Sequence, residues 1–90
     1  MKFISLIRFK TKPTKASIAQ NIKCIKHESS KEGVKCIGYY YTLGRYDAVL
    51  IMEAPDEKAV LRASLRRGDC MSIETLVAIP AEEARKLIKK

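Results

Sequence analysis

Two β-rich runs, residues 34–43 (VKCIGYYYTL) and 46–54 (YDAVLIMEA), are separated only by Gly44-Arg45. So short a connection makes an antiparallel hairpin the economical pairing, and a leading glycine suits the positive φ of a type II′ turn. Loop length then sets the register. Leu43 faces Tyr46, Thr42 faces Asp47, Tyr41 faces Ala48, Tyr40 faces Val49, Tyr39 faces Leu50 and Cys36 faces Glu53. Alternation sorts the side chains into two sets. Ile37, Tyr39, Tyr41, Leu43, Tyr46, Ala48, Leu50 and Met52 share one face without a charge among them, as a sheet under helices requires. Val34, Cys36, Gly38, Tyr40, Thr42, Asp47, Val49, Ile51 and Glu53 share the other. Val49 and Ile51 are out of place on a solvated face, so this side also calls for a cover. A second subunit is the economical one.

The flanking segments complete the pattern. KFISLIRFK, from Lys2, reads as a first strand closed by the proline-containing TKPTK, and not as a cleaved leader. Thr14 is placed to cap a helix over residues 16–32, where Ile18, Ile22, Ile25 and Ser29 recur at helical spacing and Lys12, Lys15, Lys23 and Lys26 gather on the flank. Gly33 then suits a left-handed helix end. After Pro55, Asp56 is the expected N-cap of a second helix ending before Gly68, with Ala59, Val60 and Ala63 inward. CMSIETLVAI, from Cys70, reads as a fourth strand, with Met71, Ile73, Val77 and Ile79 on one side and Ser72, Glu74 and Leu76 on the other. Pro80 opens a last helix, AEEARKLIKK, with acids early and bases late. The order is βαββαβ plus a terminal helix, an α+β, ferredoxin-like arrangement in a single domain over residues 1–90.

A chain of 90 residues buries only about two-thirds of its extended surface, so a partner subunit would supplement a small core. The net charge of +8 is local: residues 1–35 carry nine Lys/Arg against Glu28 and Glu32, whereas residues 36–90 carry nine against eight acids. A basic edge of this kind can follow phosphates, but the YYY tyrosines divide between two faces instead of forming a base-stacking platform. Nucleic acid is therefore not the expected partner, and a solvated helix face is the simpler reading. Cys24, Cys36 and Cys70 form no metal-binding spacing and read as reduced thiols of a cytoplasmic protein. His27, the single histidine, falls away from the apolar arc, so neither a metal nor another cofactor is expected. No apolar run approaches the roughly 20 residues that span a bilayer.

Gly44-Arg45-Tyr46-Asp47, preceded by Ser-Leu-Ile-Arg-Phe and followed by Glu-Ala-Pro-Asp and a late Glu-Thr-Leu, resembles the GYD domain family along nearly the whole chain. The resemblance implies a dimeric α/β-barrel, in which two sheets face each other. A more distant similarity connects the same segments to the ligand-sensing domain of leucine-responsive and asparagine-responsive regulators, without their helix-turn-helix half. Asp47, Glu53 and Glu74, joined by Tyr40 and Thr42, are the candidate ligand-binding residues, because carboxylates in a covered space would have raised pKa values unless paired. The alternative is that Asp47 braces backbone N–H groups near the turn while Glu53 and Glu74 pair with Arg8 or a second subunit. Gly44, Arg45 and Tyr46 are assigned to the turn, with Tyr46 packed under the helices. The expected function is a homodimeric or higher-oligomeric small-molecule-binding or sensing domain, with no catalysis required. A dimeric-barrel enzyme of the cofactor-free monooxygenase or isomerase type is the alternative, and a nucleic-acid binder ranks third.

Overall fold

The computed structural model describes residues 1–31, 33–67 and 71–88, with side chains described for all of these except residues 28–31 and 67. Glu32, Gly68 and Cys70 lie outside the described residues, as do the side chains of Glu28 and Ser29. In chain order the elements are β1 (Lys2–Phe9), α1 (Lys15–Lys31), β2 (Lys35–Tyr41), β3 (Ala48–Glu53), α2 (Glu57–Arg67), β4 (Met71–Ala78) and α3 (Ala81–Lys86). The strands form one sheet in the order β2-β3-β1-β4, every neighbouring pair antiparallel. This is the ferredoxin-like arrangement. β1, first in the chain, ends up inside the sheet.

Both long helices begin where the sequence supplies a cap. Ser17 N–H donates to Thr14 Oγ1 and Thr14 N–H to Ser17 Oγ, a reciprocal pair that satisfies two amides left open by the first turn of α1. At α2, Ala59 N–H donates to Asp56 Oδ1. The core lies between these helices and one face of the sheet. Phe3, Ile7, Ala48, Leu50 and Met52 come from the inner strands, and Ala59, Val60 and Ala63 from α2. The two fully buried alanines allow α2 close to the sheet, so small side chains here set the spacing. Ser5 is also fully buried, but its Oγ lies 2.9 Å from Thr75 Oγ1, so the hydroxyl keeps a partner. Phe9, Tyr39 and Tyr41 close the core near α1, with ring centroids 5.5 Å apart for Phe9–Tyr41 and 5.4 Å for Tyr39–Tyr41. α1 itself is loosely seated. Ile18 and Ile25 are half-buried, Asn21 shares their face, and Ile22 is 43% exposed, so the helix is rotated away from the arc that the isoleucines define.

The hairpin keeps the expected register near its loop and departs from it farther out. Tyr41, Tyr40 and Tyr39 pair with Ala48, Val49 and Leu50, but a β-bulge between Cys36 and Gly38 moves Cys36 opposite Met52 and Lys35 opposite Glu53. One extra residue reverses the alternation. Val34 and Cys36, expected on the open face, therefore belong to the helix-covered face, where Val34 is buried and Cys36 packs on the core, while Ile37 is 47% exposed. The loop is also wider than a two-residue turn. Its closing hydrogen bond runs from Thr42 N–H to Asp47 C=O, and Thr42 Oγ1 donates to Tyr46 C=O. Gly44 has the positive φ expected of it, 103°, in a segment whose side chains face water, and Leu43 is fully exposed instead of covered.

Candidate functional site

Among the described residues, neither of the long helices, α1 and α2, packs on the second face of the sheet. Reading across the strands in the order β2-β3-β1-β4, one row is Tyr40, Val49, Leu6 and Glu74, and the next is Gly38, Ile51, Ile4 and Leu76. Ile4, Leu6, Val49 and Ile51 are half-buried by their neighbours alone, and Tyr40 and Leu76 are 60% and 45% exposed. Gly38 has a specific reason to lack a side chain: a Cβ there would stand 2.7 Å from Tyr40 Cε2. The Tyr40 ring thus lies over the glycine, extending the apolar strip onto β2. Charge is confined to the ends of this face. Lys35, Glu53 and Lys2 form a row at one end, and Arg8 and Glu74 lie toward the other.

The end near the hairpin loop carries a polar cluster. Arg8 projects from β1 with the parity of Ile4 and Leu6, and its Nε donates to Arg45 C=O at 2.8 Å. Its guanidinium carbon lies 6.0 Å from the centre of the Tyr46 ring, at the outer range of a cation–π contact. The Tyr46 hydroxyl donates to Glu74 Oε2 at 2.8 Å. That hydrogen bond, followed by partial desolvation and the carboxylate's charge, raises the Tyr46 phenol above its ordinary value of 10.0, against the opposing charges of Arg45 and Arg8. Tyr46 is consequently a protonated donor at neutral pH and is not poised as a base. Tyr46 was expected beneath the helices. It instead joins the open-face residues, because the wider loop turns the chain before β3 begins at Ala48.

The three candidate carboxylates do not converge. Glu53 sits opposite Lys2 and Glu74 opposite Leu6, four residues along β1, or about 13 Å. Asp47 belongs to the loop end. Its Oδ2 accepts the Phe9 N–H at 2.8 Å while its own N–H donates to Ile7 C=O, so it ties the entry of β3 to the exit of β1. Thr42 is similarly engaged within the loop, and Tyr40 is the candidate that lies on the apolar strip. Arg8 was considered only as a carboxylate's counter-ion. The signal for a larger role was its parity, since Arg8 shares one face of β1 with Lys2, Ile4 and Leu6 and stands at the opposite end of that face from Lys2. Among the described residues no three His, Cys, Asp or Glu groups are grouped to hold a metal, and no helix is long and apolar enough to cross a membrane. Lys12, Lys15, Lys23, Lys26 and His27 are all exposed, away from this cluster.

Among known families, a model described as the GYD domain matches residues 3–88, nearly the whole chain. No curated protein matches it.

Proposed function

The chain belongs to the GYD domain family, and from that membership and its uncovered sheet we propose a homodimeric small-molecule-binding domain whose ligand space lies between the open faces of two copies. One observation carries the reading: a strip of Ile4, Leu6, Val49, Ile51 and Leu76 crosses the sheet with neither α1 nor α2 over it among the described residues, bounded by charge at its ends. Surface area supports it. A monomer of 10.2 kDa should expose about 5300 Å², whereas this chain exposes 6685 Å². The ligand suited to such a space has an apolar body for the strip and a polar or charged end for Arg8, Tyr46 and Glu74. A phenol held protonated by a carboxylate favours recognition over proton abstraction, so binding is preferred to catalysis.

Sedimentation of the wild type and of Ile51→Asp tests the assembly, since an aspartate in the middle of the strip must be desolvated unpaired in a sheet-to-sheet dimer. The wild type should sediment as a dimer or larger species at micromolar concentration, with the variant folded but dissociated. A folded wild-type monomer overturns the proposal. A thermal-shift screen of small metabolites on wild type and Arg8→Gln tests the ligand end: stabilisation should be lost in the variant, and stabilisation independent of Arg8 would refute the assignment of the cluster.

A further inference from the structure

Among the described residues, Arg8 is a cation held in place with no carboxylate against it. Its Nε is occupied by Arg45 C=O at 2.8 Å, and its guanidinium carbon stands 6.0 Å from the centre of the Tyr46 ring, so one edge and one flank of the group are engaged. Two acids stand near enough to have supplied the missing anion. Glu74 faces Leu6, two residues from Arg8 on the same face, a diagonal of about 7–8 Å between strands. Its Oε2, however, accepts the Tyr46 hydroxyl at 2.8 Å. Asp47 is committed in the same way, to the Phe9 amide. Both acids thus have donors of their own, and the guanidinium is left with its two Nη groups, the edge whose paired N–H groups match the two oxygens of a carboxylate. Apolar surface begins one step away. Leu6 and Val49 are paired in the next row and Ile4 and Ile51 in the one after, so about 13 Å of the face from Arg8 to Ile4 passes from charge to hydrocarbon.

We propose that this end of the face binds the carboxylate of an amphipathic organic monoacid, an assignment of ligand class that rests on the open-face dimer proposed above. Arg8 holds the carboxylate through its two Nη groups, and the Leu6/Val49 and Ile4/Ile51 rows receive the hydrocarbon body. Charge decides against the neighbouring classes. An ammonium group would be set beside Arg8 and Arg45, while the carboxylate that could attract it, Glu74, already has the Tyr46 hydroxyl. A doubly charged phosphate would satisfy Arg8 with its first charge, and Glu74 and Asp47 would oppose the second. A neutral hydroxyl can accept from an Nη group but leaves the cation unbalanced. That imbalance matters more once a second copy lies over the face, because a charge withdrawn from water without a counter-charge is costly. Ligand and assembly therefore support one another.

Isothermal titration calorimetry on the full-length chain compares octanoate with octanol, octylamine and octyl phosphate in one mildly alkaline, low-salt buffer. Octanoate should bind about tenfold more tightly than each of the others, or better. Across butyrate, hexanoate and octanoate, affinity should rise roughly fourfold for each methylene that the strip takes up. Arg8→Gln should weaken octanoate by about tenfold or more, with the fold by circular dichroism and the sedimenting mass unchanged. Arg8→Lys keeps the charge but not the paired N–H edge, and should restore only part of the loss. Absence of octanoate binding, equal binding of octanol or octylamine, a preference for octyl phosphate, an octanoate affinity indifferent to Arg8→Gln, or full affinity in Arg8→Lys overturns the proposal. The two assignments fail in different ways. A carboxylate held by Arg8 with no dependence on chain length would refute the open strip as the ligand's seat, and the hydrocarbon rows with it. A steep dependence on chain length that alcohols share and Arg8→Gln leaves intact would refute the carboxylate alone.

Discussion

Replacing Asp47 with alanine distinguishes a brace from a binding residue. In the structure its Oδ2 accepts the Phe9 amide at 2.8 Å, across the point where β1 leaves the sheet and β3 enters it. A hydrogen bond to a charged acceptor contributes about 1.5–3 kcal/mol when shielded, but Asp47 is exposed and water can replace part of what is lost, which brings the expected cost to about 1 kcal/mol. For a domain of this size that lowers the melting temperature by about 4–8 °C. Asp47→Asn retains an oxygen in the same place and should lose less than half as much. Melting followed by circular dichroism, at one concentration and one ionic strength, measures both. If Asp47→Ala melted with the wild type while ligand binding per folded dimer disappeared, the brace would be refuted and Asp47 would belong with Arg8 and Tyr46.

Gly38→Ala should change stability by less than about 1 kcal/mol, because the gain from replacing a strand glycine opposes the cost of moving an exposed ring off its rotamer. It should nevertheless weaken association at least tenfold in sedimentation, because the displaced Tyr40 ring no longer lies on the sheet. Ultraviolet titration should show a late-ionising step that vanishes in Tyr46→Phe and shifts earlier in Glu74→Gln. A phenol with a raised folded-state value stabilises the fold fully below its unfolded value near 10 and loses that contribution as pH rises through the folded value, so wild type and Tyr46→Phe should converge in melting temperature only in strong alkali. Ala63→Leu, at a position with no exposed surface where α2 meets the sheet, should destabilise by about 1–3 kcal/mol or more in urea denaturation.

The element order was legible because each element announces itself locally: period-two runs for the strands, Thr14 and Asp56 for the helix starts, Gly44 for the hairpin. Register near the loop was legible for the same reason, since Tyr41 and Ala48 are equidistant from it whether the turn is tight or wide. The bulge was not, because placing it requires knowing which side chains the core will accept. Gly38, alone inside a strand, was its one local sign. Everything beyond it followed, including the placement of Val34 and Cys36 on the wrong face. Parity also put Glu53 and Glu74 on one face correctly but says nothing of how far apart they stand along it. That distance depends on how β3 and β4 are offset against β1, which only the assembled sheet determines.

The interior position of β1 bears on how the chain comes to be folded. A strand made first is paired on both sides by strands made later, residues 48–53 and 71–78. At about 5–20 residues per second, the ribosome needs roughly 3–14 s to pass from Phe9 to Ala78. Until Glu53 has been made, FISLIRF, an apolar, β-prone heptapeptide with one charge, has neither lasting neighbour, and until Ala78 has been made it lacks one of the two. Lys2 and Lys10 flank it, and with Arg8 they set like charges against one another whenever two nascent chains align this segment. Some of the basic excess of the first third of the chain thus has a use before the fold exists, in keeping the sheet's central strand unoccupied until its own partners arrive.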